Sequence, residues 1–328
     1  MVEGCDPIKA IGGYFELADK DCECGRMPVD GIAFNTCRNA LEYIIQQLSD
    51  VKRIFVPCYT CEAVIEPLKR LHVEYEFYHI NEQFEIAENF EIGEGDYLIA
   101  NNYFGIKDAY IAELAKKYGD KLIVDNAQAL FAPVLPNIKA IYSSRKYVGV
   151  ADGGFAVGVP MSQMSDYAED DSLEHDSHLY IRKEKGPEAG FKDYQANECK
   201  LDNQPIRRMS PQTKETLSQI DYDSVIEKRR QNYKFLSNVI GEKNLLQLPS
   251  MDSFVCPMVY PFMTDDESLR GRLIQNKVFV ARYWPNVLEW CDIDELEYKL
   301  ATQIIPLPID QRYGVEDMIR IVDIIKIK

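Results

Sequence analysis

Two short stretches set reactive side chains at the ends of strand-like runs. Lys121-Leu-Ile-Val-Asp125 ends in an acid, and Ala140-Ile-Tyr-Ser-Ser144 runs straight into Arg145-Lys146. A carboxylate closing a buried strand is poorly solvated unless it meets a cation or hydrogen-bond donors. Aspartate also begins helices well, so Asp125 reads equally as the N-cap of a following helix. Ser143 and Lys146 form an S-x-x-K arrangement ahead of a glycine-containing turn that reaches Asp152-Gly-Gly154. A lysine held in a crevice beside another cation can lose its proton and act as nucleophile or base. A bare Arg-Lys pair is ordinarily a surface feature. What favours chemistry is the acid one strand away, at the strand ends where parallel sheets bind ligands.

A third stretch, Asn35-Thr36-Cys37-Arg38-Asn39, opens a helical pattern with free backbone amides, a hydroxyl and a guanidinium. Such a helix start can hold a phosphate, and it can equally be an ordinary Asn or Thr cap. Other chemistries lack their parts. The chain has no G-x-S-x-G elbow, and its four histidines (72, 79, 175, 178) fall in a strand-like segment and an acidic loop. It has neither G-x-G-x-x-G after the first strand nor G-x-x-x-x-G-K-[ST]. Cys22-x-Cys24 and Cys58-x-x-Cys61 resemble metal or redox half-sites, but a zinc site needs four ligands and the nearest histidines, His72 and His79, sit on a strand-like segment without a further Cys pair; the cysteines read as small buried residues, and no metal is expected.

The elements that must position these groups alternate between two periodicities from residue 30 to 160. A helix over 37–48 puts Ala40, Leu41, Ile44, Ile45 and Leu48 on one face, and helices follow at 61–71 and 108–118. Strands are expected at Arg53–Pro57, Val73–Ile80, Tyr97–Ala100, Lys121–Asp125, Ala140–Ser144 and Gly154–Val159. This pattern predicts an α/β domain with a largely parallel sheet covered on both faces. The segment 166–204, with its acidic run, reads as a solvated irregular excursion. Beyond it come a helical pattern from Pro211 to about Ile240, a strand at Phe254–Pro261, a helix over 266–276, a strand at Val278–Arg282 and a helix over 315–326. The division expected is a large domain over 1–215 and a smaller α+β domain over 216–328.

The 328 residues carry 37 Lys and Arg against 53 Asp and Glu, a formal charge of −16. Such a surface repels nucleic acid and anionic membrane, and neither is an expected partner. The start of the chain lacks the basic and apolar stretches of a secretory signal, and no apolar run approaches the ~18 residues of a membrane span. Nine scattered cysteines suit reduced thiols and a cytoplasmic setting.

An acid at one strand end, S-x-x-K at the next and a helix start suited to phosphate together describe a pyridoxal phosphate site. The sequence resembles the fold type I aminotransferases of the DegT/DnrJ/StrS kind, which aminate keto groups of nucleotide-linked sugars. The resemblance rests on Ile11-Gly-Gly-Tyr-Phe-Glu-Leu, Arg38-Asn-Ala-Leu41, Val56-Pro-Cys-Tyr-Thr-Cys61, Val124-Asp-Asn-Ala-Gln128, Ser143-Ser-Arg-Lys146 with Asp152-Gly-Gly154, Arg208-Met-Ser210, Lys228-Arg-Arg230 and Ile305-Pro-Leu-Pro-Ile309. It implies that Lys146 forms the internal aldimine and moves the proton, and that Asp125 pairs with the pyridinium nitrogen. Gln128 would donate to the phenolic oxygen. Ser143, with Cys37 and Arg38, would hold the phosphate.

Family members often carry an aromatic where Cys61 stands, so ring stacking would fall to Tyr59, Tyr103 or another aromatic. The family's Asn two residues before Arg-Met is Ile206 here, and the serine lies closer to the lysine than in many members. Lys146 sets the chain apart from the dehydratase branch, which has histidine at that position. The resemblance implies a homodimer, an amino acid donor (glutamate by analogy) and a nucleotide-linked keto sugar as acceptor, in amino-sugar and polysaccharide or O-antigen biosynthesis. Tyr14, Tyr103, Arg208, Arg282 and Tyr283 are the substrate-side candidates. Arg282-Tyr-Trp-Pro285 reads either as a platform for a sugar or base or as small-domain core with a snorkelling arginine. Two alternatives stay open: a non-catalytic binding or regulatory dimer, and a pyridoxal phosphate enzyme of another reaction type.

Overall fold

The computed structural model describes residues 8–20, 22, 25–88, 91–162 and 164–327. Its strands are β1 (Ile11–Gly12), β2 (Ile32–Phe34), β3 (Arg53–Pro57), β4 (Glu74–Tyr78), β5 (Asp96–Asn101), β6 (Leu122–Asn126), β7 (Lys139–Ser143), β8 (Gly154–Val157), β9 (Tyr260–Met263), β10 (Val278–Phe279) and β11 (Ile304–Leu307). Its helices are α1 (Cys37–Gln46), α2 (Ile65–Arg70), α3 (Asp108–Tyr118), α4 (Ser177–Lys185), α5 (Phe191–Lys200), α6 (Pro211–Leu217), α7 (Tyr222–Ile240), α8 (Leu269–Gln275), α9 (Val287–Trp290), α10 (Leu296–Gln303) and α11 (Val315–Lys326).

Seven strands form one sheet in the order β2-β8-β7-β6-β5-β3-β4. Strands β3 to β7 pair in parallel, whereas β8 is antiparallel to both β7 and β2. Only β8 therefore runs against the rest. The sheet is covered on both faces, and the alternation of side chains along each strand explains why. Ile54, Val56, Ile99, Ile123 and Ile141 pack with Leu41, Ile44, Ile45 and Leu68 of α1 and α2. Their neighbours Phe55, Leu98, Leu122, Val124 and Ala140 join a second cluster that extends into the C-terminal third of the chain. Burying Leu41, Ile44 and Ile45 contributes roughly 1.5–3 kcal/mol apiece, which holds a ten-residue helix that would be marginal alone.

Helices 108–118 and 315–326 and strand Arg53–Pro57 fall where the sequence places them. Four expectations need correction. The stretch 166–204 is not an irregular excursion, since it contains α4 and α5 packed on each other. Nor is its acidic run wholly solvated: Asp170 is buried and bonded by Asn35, His175 and Arg207 at 3.0–3.1 Å. Burial alone would raise the Asp170 pKa, but these partners outweigh it and bring it to about 2. The helical pattern from Pro211 breaks between α6 and α7, because Asp221 accepts the Ser224 N–H at 3.1 Å and caps a new helix. The strand expected at Phe254–Pro261 begins only at Tyr260, where pairing with β11 starts, and the one expected at Val278–Arg282 stops at Phe279.

Among the described residues, no helix is long and apolar enough to cross a membrane. Of the two cysteine half-sites, Cys24 lies outside the described residues, and Cys22 is disulfide-bonded rather than a free thiol. Scatter along a sequence does not fix distance in space, so counting could not exclude that bond.

Candidate active site

The carboxyl ends of β5, β6 and β7 bring the candidate residues to one edge of the sheet. Asn101 and Asp125 are register partners near the ends of β5 and β6, and Ser143 closes β7. Asp125 does not cap a helix. Its Oδ1 accepts the Ala127 N–H at 2.7 Å in the turn after β6. Burial raises its pKa, while the nearby charge of Lys146 and the Ala127 N–H act in the opposite direction.

A short loop carries Lys146 out of β7 and back into β8. The Ser144 N–H and hydroxyl both reach the Gly153 carbonyl, at 3.1 and 3.0 Å, and the Tyr147 and Val148 amides return to the Ser144 carbonyl. Tyr147 is fully buried under the Arg229 guanidinium, 4.4 Å from its ring centre, and Arg145 is ion-paired with Glu198. With both neighbours fastened, Lys146 is the member of the loop left exposed. Gly154 lies against the backbone where α1 begins. A Cβ there would stand 2.4 Å from the Thr36 carbonyl carbon and 2.7 Å from the Cys37 nitrogen.

Thr36 caps α1, its Oγ1 accepting the Asn39 N–H at 3.1 Å. The Cys37 and Arg38 amides precede the first intrahelical bond and remain for another acceptor. The Arg38 guanidinium is turned away to Glu66, Asp202 and the Leu201 carbonyl, so its contribution here is its backbone N–H. The Cys37 thiol donates to the Tyr142 carbonyl at 3.0 Å, and burial first, then Asp125, pushes its pKa up to about 12. It is a packing group rather than a nucleophile.

These residues line a cavity of about 170 Å³ whose walls include Thr36, Cys37, Arg38, Cys61, Asn101, Asp125, Gln128, Ser143, Lys146 and Trp284. A larger cleft of about 800 Å³ adjoins it, lined by Tyr14, His178, Tyr194, Arg229, Tyr283 and Asp310 among others. Ser143, Arg145, Lys146 and Glu198 belong to both. Lys146 therefore stands in the wall between a small pocket and a large one.

Other sequence candidates lie elsewhere. Tyr59 and Tyr103 are buried behind the pocket, the Tyr103 hydroxyl donating to the Tyr59 carbonyl at 2.8 Å. Neither lines either space. Trp284 is the aromatic in the wall of the smaller pocket, held edge-on against Tyr59 at 4.7 Å between ring centres. Arg208 bonds the Tyr167 carbonyl and Glu169, and Arg282 is exposed outside both spaces. Tyr14 stacks on Tyr194 in the cleft wall, 4.8 Å between centres and 9° between planes. Asn101 is a site residue the sequence analysis missed, although it ends a strand as Asp125 nearly does. Of the Arg282-Tyr-Trp-Pro285 stretch, Trp284 is the member that reaches the smaller pocket and Tyr283 the one that lines the cleft.

The donor set fits a pyridoxal phosphate. Gln128 Oε1 accepts the Phe104 N–H at 2.8 Å, which leaves its Nε2 facing the pocket, buried and without a partner. Asn101 Oδ1 is likewise buried and unpaired while its Nδ2 bonds Thr60 Oγ1. Unsatisfied buried polar atoms are rare, and here they surround a void beside a carboxylate and a helix start. No cluster of three or more metal-ligating side chains occurs among the described residues.

Neither a protein-family model nor a curated protein sequence matches the chain. Solved structures do match in shape. The aminotransferase TlmJ from Streptoalloteichus hindustanus superposes with a TM-score of 0.62 at 14% identity, over 90% of this chain and 84% of that one. DesV from S. venezuelae, solved in complex with a ketimine intermediate, gives 0.61 at 16% identity over 93% and 85%. A DegT DnrJ EryC1 StrS aminotransferase from Brucella abortus gives 0.60 at 14% identity over 90% and 84%. At such identities the likeness is one of fold: the chain has the fold type I architecture of these aminotransferases.

Proposed function

We propose that this chain is a pyridoxal phosphate-dependent aminotransferase that moves an amino group from an amino acid, glutamate by analogy, to a nucleotide-linked keto sugar. The observation that carries the reading is the position of Lys146, in the wall shared by a pocket of cofactor character and a cleft several times larger. When bound, the cofactor supplies an electron sink for the carbon that gains or loses the amino group. Asp125 holds a proton on the ring nitrogen, and the resulting ion pair offsets the burial that otherwise opposes its charge. Gln128 Nε2 donates to the phenolic oxygen. The amides of Cys37 and Arg38, with Ser143, hold the phosphate at the start of α1. The Lys146 amine, in the wall between the two spaces, would hold the cofactor and, when free, would be the base that takes and returns the proton of the substrate carbon.

Two neighbours support the substrate class. One is DesI, solved with its TDP-sugar product, and the other is the sugar aminotransferase CalS13 from Micromonospora echinospora. A homodimer fits the exposure of Lys146 in the single chain, because a second copy can cover the cleft. We place the enzyme in the cytoplasm, in amino-sugar and polysaccharide or O-antigen biosynthesis, with a large domain over 1–215 and a small one over 216–328. The test is to load purified protein with pyridoxal phosphate and follow its visible absorption. The band bleaches with glutamate, returns with a keto-sugar nucleotide and is lost in Lys146→Ala. Protein that never takes up the cofactor sinks the proposal and leaves a binding dimer.

A further inference from the structure

Cys58 and Cys291 lie 233 residues apart in sequence, yet their sulfurs are in direct contact, Sγ to Sγ 2.6 Å, and both side chains are buried. Cys58 thus finds its sulfur partner across the fold and not in Cys61, its neighbour in the C-x-x-C spacing. The two residues terminate the segments that wall the smaller pocket. Cys58 opens the turn that supplies Thr60 and Cys61, and Cys291 ends α9, which follows Trp284. Weaker links already join these segments. Asn286 Nδ2 donates to the Thr60 carbonyl at 2.9 Å, and Tyr59 meets Trp284 edge-on.

We propose that Cys58 and Cys291 form an internal disulfide that fastens the 284–291 segment to the 58–61 turn and so fixes two walls of the pocket. The oxidant is a peroxide or a low-molecular-weight disulfide. With hydrogen peroxide, the Cys291 sulfur attacks one oxygen and becomes a sulfenic acid as the first water leaves. The Cys58 thiol then attacks that sulfur, forming the S–S bond as the second water leaves. The two thiols lose two protons and two electrons, and the peroxide takes them up. Contact with Cys58 raises the Cys291 pKa, and burial adds to it, so little thiolate is available and oxidation is slow. Once formed, the bond is shielded from attacking thiols. It therefore acts as a lasting clamp, and it closes so long a loop that its effect on the unfolded chain is large.

The test needs no cofactor and is independent of the aminotransferase reading. Folded wild-type protein is treated with hydrogen peroxide, denatured, alkylated and mapped by mass spectrometry, with a dithiothreitol-reduced sample beside it. The expected result is a linked pair of peptides containing Cys58 and Cys291, absent after reduction. The unfolding midpoint of the oxidised protein should rise by about 5 °C or more. Cys58→Ser and Cys291→Ser should each lose both effects, whereas Cys256→Ser, a buried cysteine elsewhere, should keep them. Separate alkylation of both cysteines after peroxide overturns the proposal. So does a linked pair that leaves the midpoint unchanged, because the clamp would then hold nothing.

Discussion

Gln128 gives its side-chain oxygen to the Phe104 N–H at 2.8 Å, and this one bond decides which end of the amide faces the pocket. An N–H needs an acceptor, so the NH2 end is the one left unspent. In Gln128→Leu two losses should separate. The orphaned Phe104 N–H lowers stability by ~1–3 kcal/mol, and the missing donor weakens pyridoxal phosphate binding by roughly fivefold. Thermal melts of the cofactor-free protein and absorbance titrations with the cofactor read them independently. Unchanged affinity would remove Gln128 from the cofactor's partners.

Asp125 supplies a prediction with opposite signs in two states. Burial raises its pKa in the folded chain, so protonation favours folding, and that stability is lost as pH rises through the carboxylate range. Asp125→Asn removes the buried charge, and the cofactor-free variant should melt higher than wild type at pH 7, the gap narrowing toward pH ~4. The same variant should bind pyridoxal phosphate more weakly, by an order of magnitude or more, because the ring nitrogen loses its ionic partner. A melt at pH 7 lower than wild type would contradict the burial argument.

Asp152 is a purely structural carboxylate. It is fully buried and accepts the Ser210 N–H and hydroxyl, each at 2.7 Å, together with the Thr213 hydroxyl. It thereby ties the loop after Lys146 to the start of α6. Asp152→Ala leaves those donors buried and unpaired, and denaturant unfolding should show a loss of ~3 kcal/mol or more. A loss below ~1 kcal/mol would mean that water replaces the carboxylate.

His178 sets an acid limit. Burial, followed by the charge of Arg145, lowers its pKa to about 4, so it is neutral in the folded chain at ordinary pH. Unfolded, it binds a proton near pH 6.5, and folding therefore loses stability as pH falls from about 6.5 to 4. His178→Gln should flatten that part of the stability–pH curve while leaving the steeper fall below pH 4, where Asp170 gives up its advantage. Equal slopes in both proteins would assign the acid sensitivity to other groups.

The sheet and its first helices were legible because they are built from apolar residues at regular spacing. Leu41, Ile44 and Ile45 announce α1, and Ile54 and Val56 announce β3. The helices within 166–204 were hidden for the opposite reason. Their buried positions include His178, Arg182 and Asn197, whose partners are Tyr194, Glu16 and Ser177, so no apolar stripe marks them. The same limit applies to the pocket. Asp125, Ser143 and Lys146 could be read because strand ends have a known role, whereas Trp284 reaches the pocket through a loop with φ of 57° that only tertiary contacts explain. Which of two arginines points inward was also invisible. Arg38 and Arg208 each find acidic partners elsewhere.

The two-residue pairing of Ile11–Gly12 with Val278–Phe279 joins the chain's beginning to its last third. It is tight enough that a methyl group on Gly12 would sit 2.3 Å from the Phe279 carbonyl oxygen. Arg182 Nη2 grips the Gly12 carbonyl at 2.9 Å, and the Tyr313 hydroxyl accepts its N–H at 2.8 Å. A gene fragment encoding only residues 216–328 would thus yield a polypeptide missing one of its own edge strands. Splitting this protein for complementation, or trimming it for crystallisation, has to leave Ile11 and Gly12 in the company of the last third.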